Sequence, residues 1–288
     1  MKVASLWSGG KDSCLSTYEA TVKGFEVSHL ISYTYNSASN ASSGGISKNP
    51  LSIIYDHVGR AGPSVVNNLL SFVYKDLSRM IPHEVAPEII VGQAKAMDVP
   101  LIHGEVKWDT LDQFLKSSLK KLKQNGVEGL VFGVVPPHYP IDSSEKLREH
   151  RTLVAHKDWM NRICHDLGIL PITPLWESNP EQILRKIVAE GFETIIVVVD
   201  SKYFGKEWLG RKIDCNFIDE VHRLNHEKSV HIAGSGYHTL VTDCPLFKRR
   251  LNIVGCRKIW KSGYGVLEIS GFELSKKESI QEKADLQW

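Results

Sequence analysis

The stretch VASLW at residues 3–7, followed by SGGKDS at residues 8–13, decides the fold of this chain. It combines a short apolar run, a tight glycine turn and a helix start. The first turn of a helix presents unpaired N–H groups at the positive end of the dipole, so it attracts anions. Adjacent glycines let the backbone close around an anion, and lysine and serine add a charge and hydroxyl donors. The loop therefore predicts a phosphate or pyrophosphate site formed by Ser8, Gly9, Gly10, Lys11, Asp12 and Ser13.

The composition of the 288 residues is that of a globular protein with a sizeable core. A net charge of +2 gives no electrostatic case for nucleic-acid binding. The five cysteines form no Cys-x-x-Cys pair, which disfavours a zinc ribbon and a disulfide framework and is typical of a reducing compartment. No segment predicts a signal peptide or a membrane span. We expect a soluble, cytoplasmic protein with no membrane association and no direct nucleic-acid binding.

Strands and helices alternate along the first half of the chain. Apolar runs predict strands at 3–7, 26–33, 100–103 and 129–135, and periodicity with capping signals predicts helices at 12–22, 87–97 and 109–125. Such alternation predicts an α/β fold with a doubly wound parallel sheet. In such a sheet the ligand lies beyond the carboxyl ends of the strands, where the glycine turn of residues 8–13 is placed.

Composition also suggests where the chain divides. Residues 36–80 predict a flexible insertion with a Ser/Asn-rich loop at 36–50 and a helix at 69–80, and Pro136, Pro137 and Pro140 predict a hinge. We therefore predict a first domain at 1–135, a second, smaller α/β domain at 136–274 and a polar, frayed tail at 275–288. In the second domain we expect helices at 156–167 and 180–190, a buried strand at 194–199 and two strands within 255–274. Residues 171–176 predict a rigid connection.

A second informative stretch is GSGYHTLVTDCPLF at residues 234–247. Its glycines predict a tight turn that enters a strand. Tyr237, His238, Thr239 and Asp243 bring several polar groups close together. From these residues alone, a buried hydrogen-bonded set and a functional site both stay open.

Both stretches resemble known protein families. SGGKDS directly after a first strand is similar to the pyrophosphate loop of the N-type ATP pyrophosphatases, the PP-loop proteins with a HUP-like fold. The segments PLW at 174–176, GFETIIV at 191–197, Leu209-Gly210 and residues 234–247 resemble the diphthine–ammonia ligases, which open with the same SGGKDS. This second resemblance runs nearly from end to end.

The resemblance implies an ATP-dependent ligase that adenylates a carboxylate and transfers ammonia to it. The substrate would be the diphthine of elongation factor 2, and the products an amide, AMP and pyrophosphate. ATP and Mg²⁺ are the implied cofactors. Lys11 and His238 are the implied catalytic residues, Gly234, Gly236, Tyr237, His238 and Thr239 would bind the acyl substrate, and Asp12 is the nearest carboxylate for Mg²⁺.

The sequence departs from that family in ways that keep other functions open. The family signature Gly-Glu-x-Gly-Glu carries two acids that Gly234-Ser235-Gly236 lacks, and residues 136–151 form a further polar insertion. A ligase acting on a small carboxylate and an ATP-binding sensor or scaffold without catalysis are therefore alternatives. Sulfur transfer to transfer RNA by a pair such as Cys244 and Cys256 is disfavoured. The oligomeric state is left open.

Overall fold

The computed structural model describes residues 1–35, 86–107, 110–135, 144–228, 236–261 and 263–277. The insertion predicted at 36–80, the helix within it, the hinge prolines and Gly234 lie outside these residues. Side chains are not described at 144–149, 152, 225–228 and 261.

The first half of the chain alternates strands and helices as expected. The elements are β1 (Lys2–Leu6), α1 (Lys11–Val22), β2 (Glu26–Tyr35), α2 (Pro87–Met97), β3 (Leu101–Val106), α3 (Leu111–Gln124), β4 (Gly129–Val131), α4 (Ser144–Leu167) and β5 (Leu170–Ile172). The five strands form one parallel sheet in the order β3-β2-β1-β4-β5. The predicted doubly wound parallel sheet is thereby confirmed.

Helix α3 packs on this sheet through a row of leucines. Leu111, Leu115, Leu119 and Leu122 recur at helical spacing and all are buried in the same core as β1, β2 and β4. Gly104 on β3 lets the helix approach, because a Cβ there would lie 2.4 Å from the ring of Phe114. Burial of this apolar stripe is the main force that holds α3 on the sheet.

Three sequence expectations in this half need correction. The apolar run at 129–135 leaves the sheet after Val131, because Gly133 approaches the backbone of α1 instead. The stretch at 171–176 was expected to be a connection, yet β5 runs through Pro171, which an edge strand tolerates because part of its backbone has no ladder partner. Helix α4 begins at Ser144 rather than 156, since good helix formers precede its apolar residues.

The second half contains α5 (Pro180–Ala189), β6 (Glu193–Asp200), a short 3₁₀ turn (Lys206–Trp208), α6 (Cys215–Lys228), β7 (Tyr237–Asp243), β8 (Arg249–Lys261) and β9 (Tyr264–Lys276). Its four strands form an antiparallel sheet in the order β7-β6-β9-β8. Strand β9 continues through Lys276, so Ser275 and Lys276 pair with β8 and do not belong to a frayed tail.

Packing divides the described residues into two compact units. The first contains 1–8, 12–35, 101–107, 110–135 and 144–183, and the second contains 9–11, 86–100, 184–228, 236–261 and 263–277. Helix α2 and the tripeptide at 9–11 thus pack with the antiparallel sheet. The domain bounds expected from sequence, 1–135, 136–274 and 275–288, stay a prediction, because packing units need not follow chain order.

Candidate functional site

The turn after β1 closes on itself through two serines. The backbone N–H and the hydroxyl of Ser8 both donate to the hydroxyl oxygen of Ser13, at 3.3 and 3.0 Å. Between them, Gly9 has a φ of +77°, a backbone conformation that glycine adopts without strain. Helix α1 then starts at Lys11, so the turn leads directly into a helix N-terminus.

Contacts with β1 and with the chain after β4 fix the start of α1 within the first unit. Thr17 donates to the backbone oxygen of Ser13 at 2.7 Å, and its hydroxyl also lies 2.7 Å from that of Ser5 on β1. A Cβ on Gly133 would lie 2.6 Å from the carbonyl of Asp12. Only a glycine at 133 therefore lets the chain after β4 pass this close to the loop.

The position of β1 in the sheet makes its carboxyl end the place where a ligand is expected. The chain runs outward from β1 to β2 and β3, then returns to place β4 on the other side of β1. Open α/β sheets bind ligands at such a reversal, where the loops that follow neighbouring strands diverge. The loop at residues 8–13 follows β1, at this switch point.

Within the second unit, β7 and α2 hold the tripeptide at 9–11. The carbonyl oxygen of Gly9 accepts from the backbone N–H of Val241 and from Nε2 of Gln93, each at 3.0 Å. The backbone N–H of Lys11 donates to Oγ1 of Thr239 at 3.0 Å. The conformation of the loop is therefore set by residues far away along the chain as well as by its own glycines.

The lysine of the loop lies against an aromatic surface. Lys11 is only 4% exposed, and its ammonium nitrogen lies 5.8 Å from the ring centroid of Tyr237. Tyr237 makes edge contacts with Phe204 and Phe217, at 5.8 and 5.6 Å between ring centroids. A cation over such a ring is attracted by the negative face of the π system, which restricts where the ammonium can go.

Strand β7 separates the residues that the sequence grouped as substrate-binding. Side chains alternate along a strand, so Tyr237 and Thr239 share one face and both contact Lys11. His238 lies on the opposite face of β7 and is partly exposed. Gly236 has a φ of +108°, and its carbonyl accepts from the N–H of Asp200 at 2.7 Å. The substrate and catalytic roles given to these residues stay predictions.

The residues of the loop fit the implied pyrophosphate by their chemistry. A helix N-terminus, a lysine and adjacent glycines are donors that suit a pyrophosphate. In the described part of the chain, no three His, Cys, Asp or Glu residues come together as a metal site. Because Mg²⁺ is held largely by nucleotide phosphates and water, one carboxylate such as Asp12 is enough, and its role stays a prediction.

Comparison with known proteins bears on both halves of the chain. Residues 1–46, which contain the loop and β1, match the model of the diphthamide synthase N-terminal domain. Residues 179–274, which contain β6 to β9 up to Leu274, match the model of the diphthamide synthase C-terminal domain. Both ends of the chain are therefore similar to the diphthamide synthase family.

Diphthine–ammonia ligases of several organisms are similar to this chain over most of its length. A diphthine–ammonia ligase of Schizosaccharomyces pombe is 25% identical over 87% of the chain, which spans about a third (36%) of that protein's length. The Homo sapiens diphthine–ammonia ligase is 24% identical, with 87% of this chain and 82% of the human protein covered. A Methanocaldococcus jannaschii structure described as a predicted subunit of tRNA methyltransferase covers 85% of the chain and 98% of its own, at 16% identity and a TM-score of 0.35.

The sequence did not point to Gln93 or to the packing role of Gly133. Both lie outside the two matched ranges. Gln93 falls among Ile89, Ile90 and Ala94 on the buried side of α2 and is 0% exposed. An amide on an apolar helix face requires buried hydrogen-bond partners, and that was the available signal.

Cys244 and Cys256, the pair considered for sulfur transfer, differ in their exposure. Cys256 is exposed, whereas Cys244 is buried, and desolvation raises the pKa of the Cys244 thiol to about 12. A thiol with such a pKa forms little thiolate and is a poor nucleophile. Among the described helices, none is long and apolar enough to cross a membrane.

Proposed function

We propose that this chain is an ATP-dependent, amide-forming ligase that works in the cytoplasm. It activates a carboxylate as an acyl-adenylate and transfers ammonia to it, and its substrate is the diphthine of elongation factor 2. The observation that carries the proposal is a pyrophosphate-type loop at the switch point of the sheet, in a chain that matches both diphthamide synthase domains.

The chemistry explains why such a ligase needs this loop. A carboxylate does not react with ammonia in water, because its charge repels the nucleophile and oxide is a poor leaving group. In adenylation a carboxylate oxygen attacks the α-phosphorus of ATP and pyrophosphate leaves. AMP, a much better leaving group than oxide, is then displaced by ammonia. The N-terminus of α1 and the ammonium of Lys11 would stabilise the negative charge that develops on the departing oxygens. Mg²⁺ would neutralise part of the phosphate charge, with Asp12 as the candidate ligand.

The proposal is tested by product analysis. Purified protein, ATP, Mg²⁺, ammonium and diphthine-bearing elongation factor 2 should yield AMP and pyrophosphate in step with amide. ADP and phosphate as products would reject adenylation. Nucleotide binding with no AMP under any condition would instead favour the sensor or scaffold alternative.

A lysine pair makes the test specific to the loop. Lys11→Ala removes one charged contact, worth roughly 1.5–3 kcal/mol, so turnover should fall about tenfold to a hundredfold. Lys120→Ala is the matched control, because Lys120 is exposed on α3. An unchanged rate in Lys11→Ala would show that the loop is not the phosphate site.

A second candidate is supported by one observation, the absence of both signature acids from Gly234-Ser235-Gly236. If those acids orient diphthine in the family, this chain acts on a small carboxylate instead. A substrate screen that follows pyrophosphate release separates the two, since elongation factor 2 would then be inactive while a small acid supports turnover.

A further inference from the structure

The side-chain amide of Gln93 bridges two backbone carbonyls within the second unit. Its Nε2 donates to the oxygen of Gly9 at 3.0 Å and to the oxygen of Val241 at 2.7 Å. Both partners are carbonyl oxygens, which only accept, so the –NH₂ end of the amide must face them and uses both of its hydrogens. The side chain is 0% exposed, and water does not compete for these bonds.

This bridge determines the orientation of a peptide plane in the loop. The Gly9 carbonyl also accepts from the N–H of Val241, so it is held by two donors at 3.0 Å. No peptide bond in the described chain is cis. In a planar trans peptide the C=O and the following N–H point in opposite directions. Fixing the Gly9 carbonyl towards Gln93 and β7 therefore directs the Gly10 N–H the opposite way.

The contact is also close enough to require glycine at residue 9. A Cβ on Gly9 would lie 2.4 Å from Oε1 of Gln93 and 2.8 Å from Cδ1 of Ile90. The first of the two glycines in the SGGKDS loop is thus matched to a glutamine 84 residues later in the chain.

We infer that Gln93 is a positioning residue of the pyrophosphate site: it fixes the orientation of the Gly9–Gly10 peptide and thereby the conformation of the loop that would bind the anion. The inference rests on the proposed function, because it takes pyrophosphate as the anion. It assigns to α2 a part in nucleotide binding that neither matched range of the chain includes. Gln93 acts through the backbone of the loop and need not touch the nucleotide.

The alternative role of Gln93 is purely structural. Under that alternative, the amide only satisfies two buried carbonyls, and its loss lowers stability without a selective effect on anions. A positioning role predicts in addition that pyrophosphate binding and kcat fall while the KM for the acyl substrate does not. Binding and the split between kcat and KM therefore distinguish the two roles.

The experiment compares Gln93→Met with Ile89→Ala. Methionine matches the length of glutamine and removes both hydrogen bonds. Ile89→Ala shortens another buried side chain of α2 but removes no hydrogen bond. Affinity for inorganic pyrophosphate is measured by calorimetry, turnover by AMP release and stability by thermal melting. We expect Gln93→Met to weaken pyrophosphate binding and kcat at least tenfold, whereas Ile89→Ala lowers the melting temperature and leaves both within about twofold.

A second variant and the combined outcomes test the positioning role separately from the proposed function. If Gln93→Met does not fold, Gln93→Leu also removes both hydrogen bonds while keeping an apolar side chain on the buried face of α2, and it should show the same loss of pyrophosphate binding. Wild-type-like binding and kcat in the folded variant overturn the inference, even if the ligase reaction itself is confirmed. If the wild type binds pyrophosphate, the variant does not, and neither releases AMP with any substrate, the positioning role stands and the proposed function fails. A wild type that binds no pyrophosphate overturns the inference.

Discussion

The backbone N–H of Lys11 donates a hydrogen bond to the hydroxyl oxygen of Thr239, which follows it by 228 residues. The same strand contacts the loop at every second residue, through the ring of Tyr237, the hydroxyl of Thr239 and the backbone N–H of Val241. Strand β7 thus supports the loop residues that the proposed reaction requires.

Removing the Thr239 hydroxyl should impair the loop. In Thr239→Val the Lys11 N–H loses its acceptor, a bond worth about 1 kcal/mol, so turnover should fall roughly fivefold to tenfold. Thr239→Ser keeps the acceptor and should retain most of the activity. Thr194→Val is the control, since the buried Oγ1 of Thr194 makes no hydrogen bond in the described part of the chain. Equal rates in the valine and serine variants of residue 239 would contradict the role of the hydroxyl.

Substitutions at Gly9 and Gly24 distinguish the effect of backbone strain from that of a steric clash. Gly9 and Gly24 have φ values of +77° and +86°, but a Cβ would collide with Gln93 at Gly9 and would meet nothing within 4 Å at Gly24. Gly24→Ala should cost about 1–2 kcal/mol of unfolding free energy and leave activity unchanged. Gly9→Ala should cost more and abolish pyrophosphate binding. Denaturant melts and calorimetry measure both, and equal effects of the two substitutions would refute the collision.

The cysteines should divide sharply in reactivity. Cys215 and Cys256 are exposed, while Cys14, Cys164 and Cys244 are buried, and desolvation raises the pKa of Cys164 and of Cys244 to about 12. Near pH 8, a thiol reagent should label the two exposed residues rapidly and the buried ones only after denaturation. Peptide mapping by mass spectrometry reports the sites. Fast labelling of Cys244 in the folded protein would reopen the sulfur-relay hypothesis.

His156 should make the fold sensitive to acid. Desolvation lowers its pKa from 6.5 to about 4, and its ring lies 5.7 Å from that of Trp159. The unfolded chain therefore binds this proton more readily than the folded chain does. The stability due to neutral His156 is complete above about pH 6.5 and is lost as the pH falls towards 4, by at most about 1.4 kcal/mol per pH unit.

The variant His156→Gln tests this dependence. The free energy of unfolding at pH 7 and at about pH 4.5 should differ less in this variant than in the wild type. His165→Gln is the control, because His165 is exposed on the same helix. The expectation fails if both variants lose the same stability on acidification.

Local patterns predicted the parts of the fold that local forces determine. The bounds of α2 were predicted to the residue, from Pro87 at its start to Met97, because proline favours the first turn and apolar spacing defines the buried face. Strands β1, β2 and β6 were predicted within two residues, because they are short apolar runs buried in a sheet.

What the sequence did not reveal depends on contacts between distant residues. Strand β6 pairs antiparallel with β7 and β9. This pairing depends on contacts between segments that are distant in the sequence, and the apolar pattern of a single strand does not reveal it. The bonds from Gln93, Thr239 and Val241 to the loop likewise cannot be read from the SGGKDS pattern, which predicts only that an anion fits there. The pattern predicted the kind of site but not the residues that support it.

The order of synthesis gives the contact between Gly9 and Val241 a further meaning. The ribosome adds Lys11 of the SGGKDS turn 228 residues before Thr239 of the strand that supports it. A nascent or prematurely terminated chain that stops before residue 237 carries the SGGKDS signature without that strand, so the contacts that support the turn form only after residue 241 has been added.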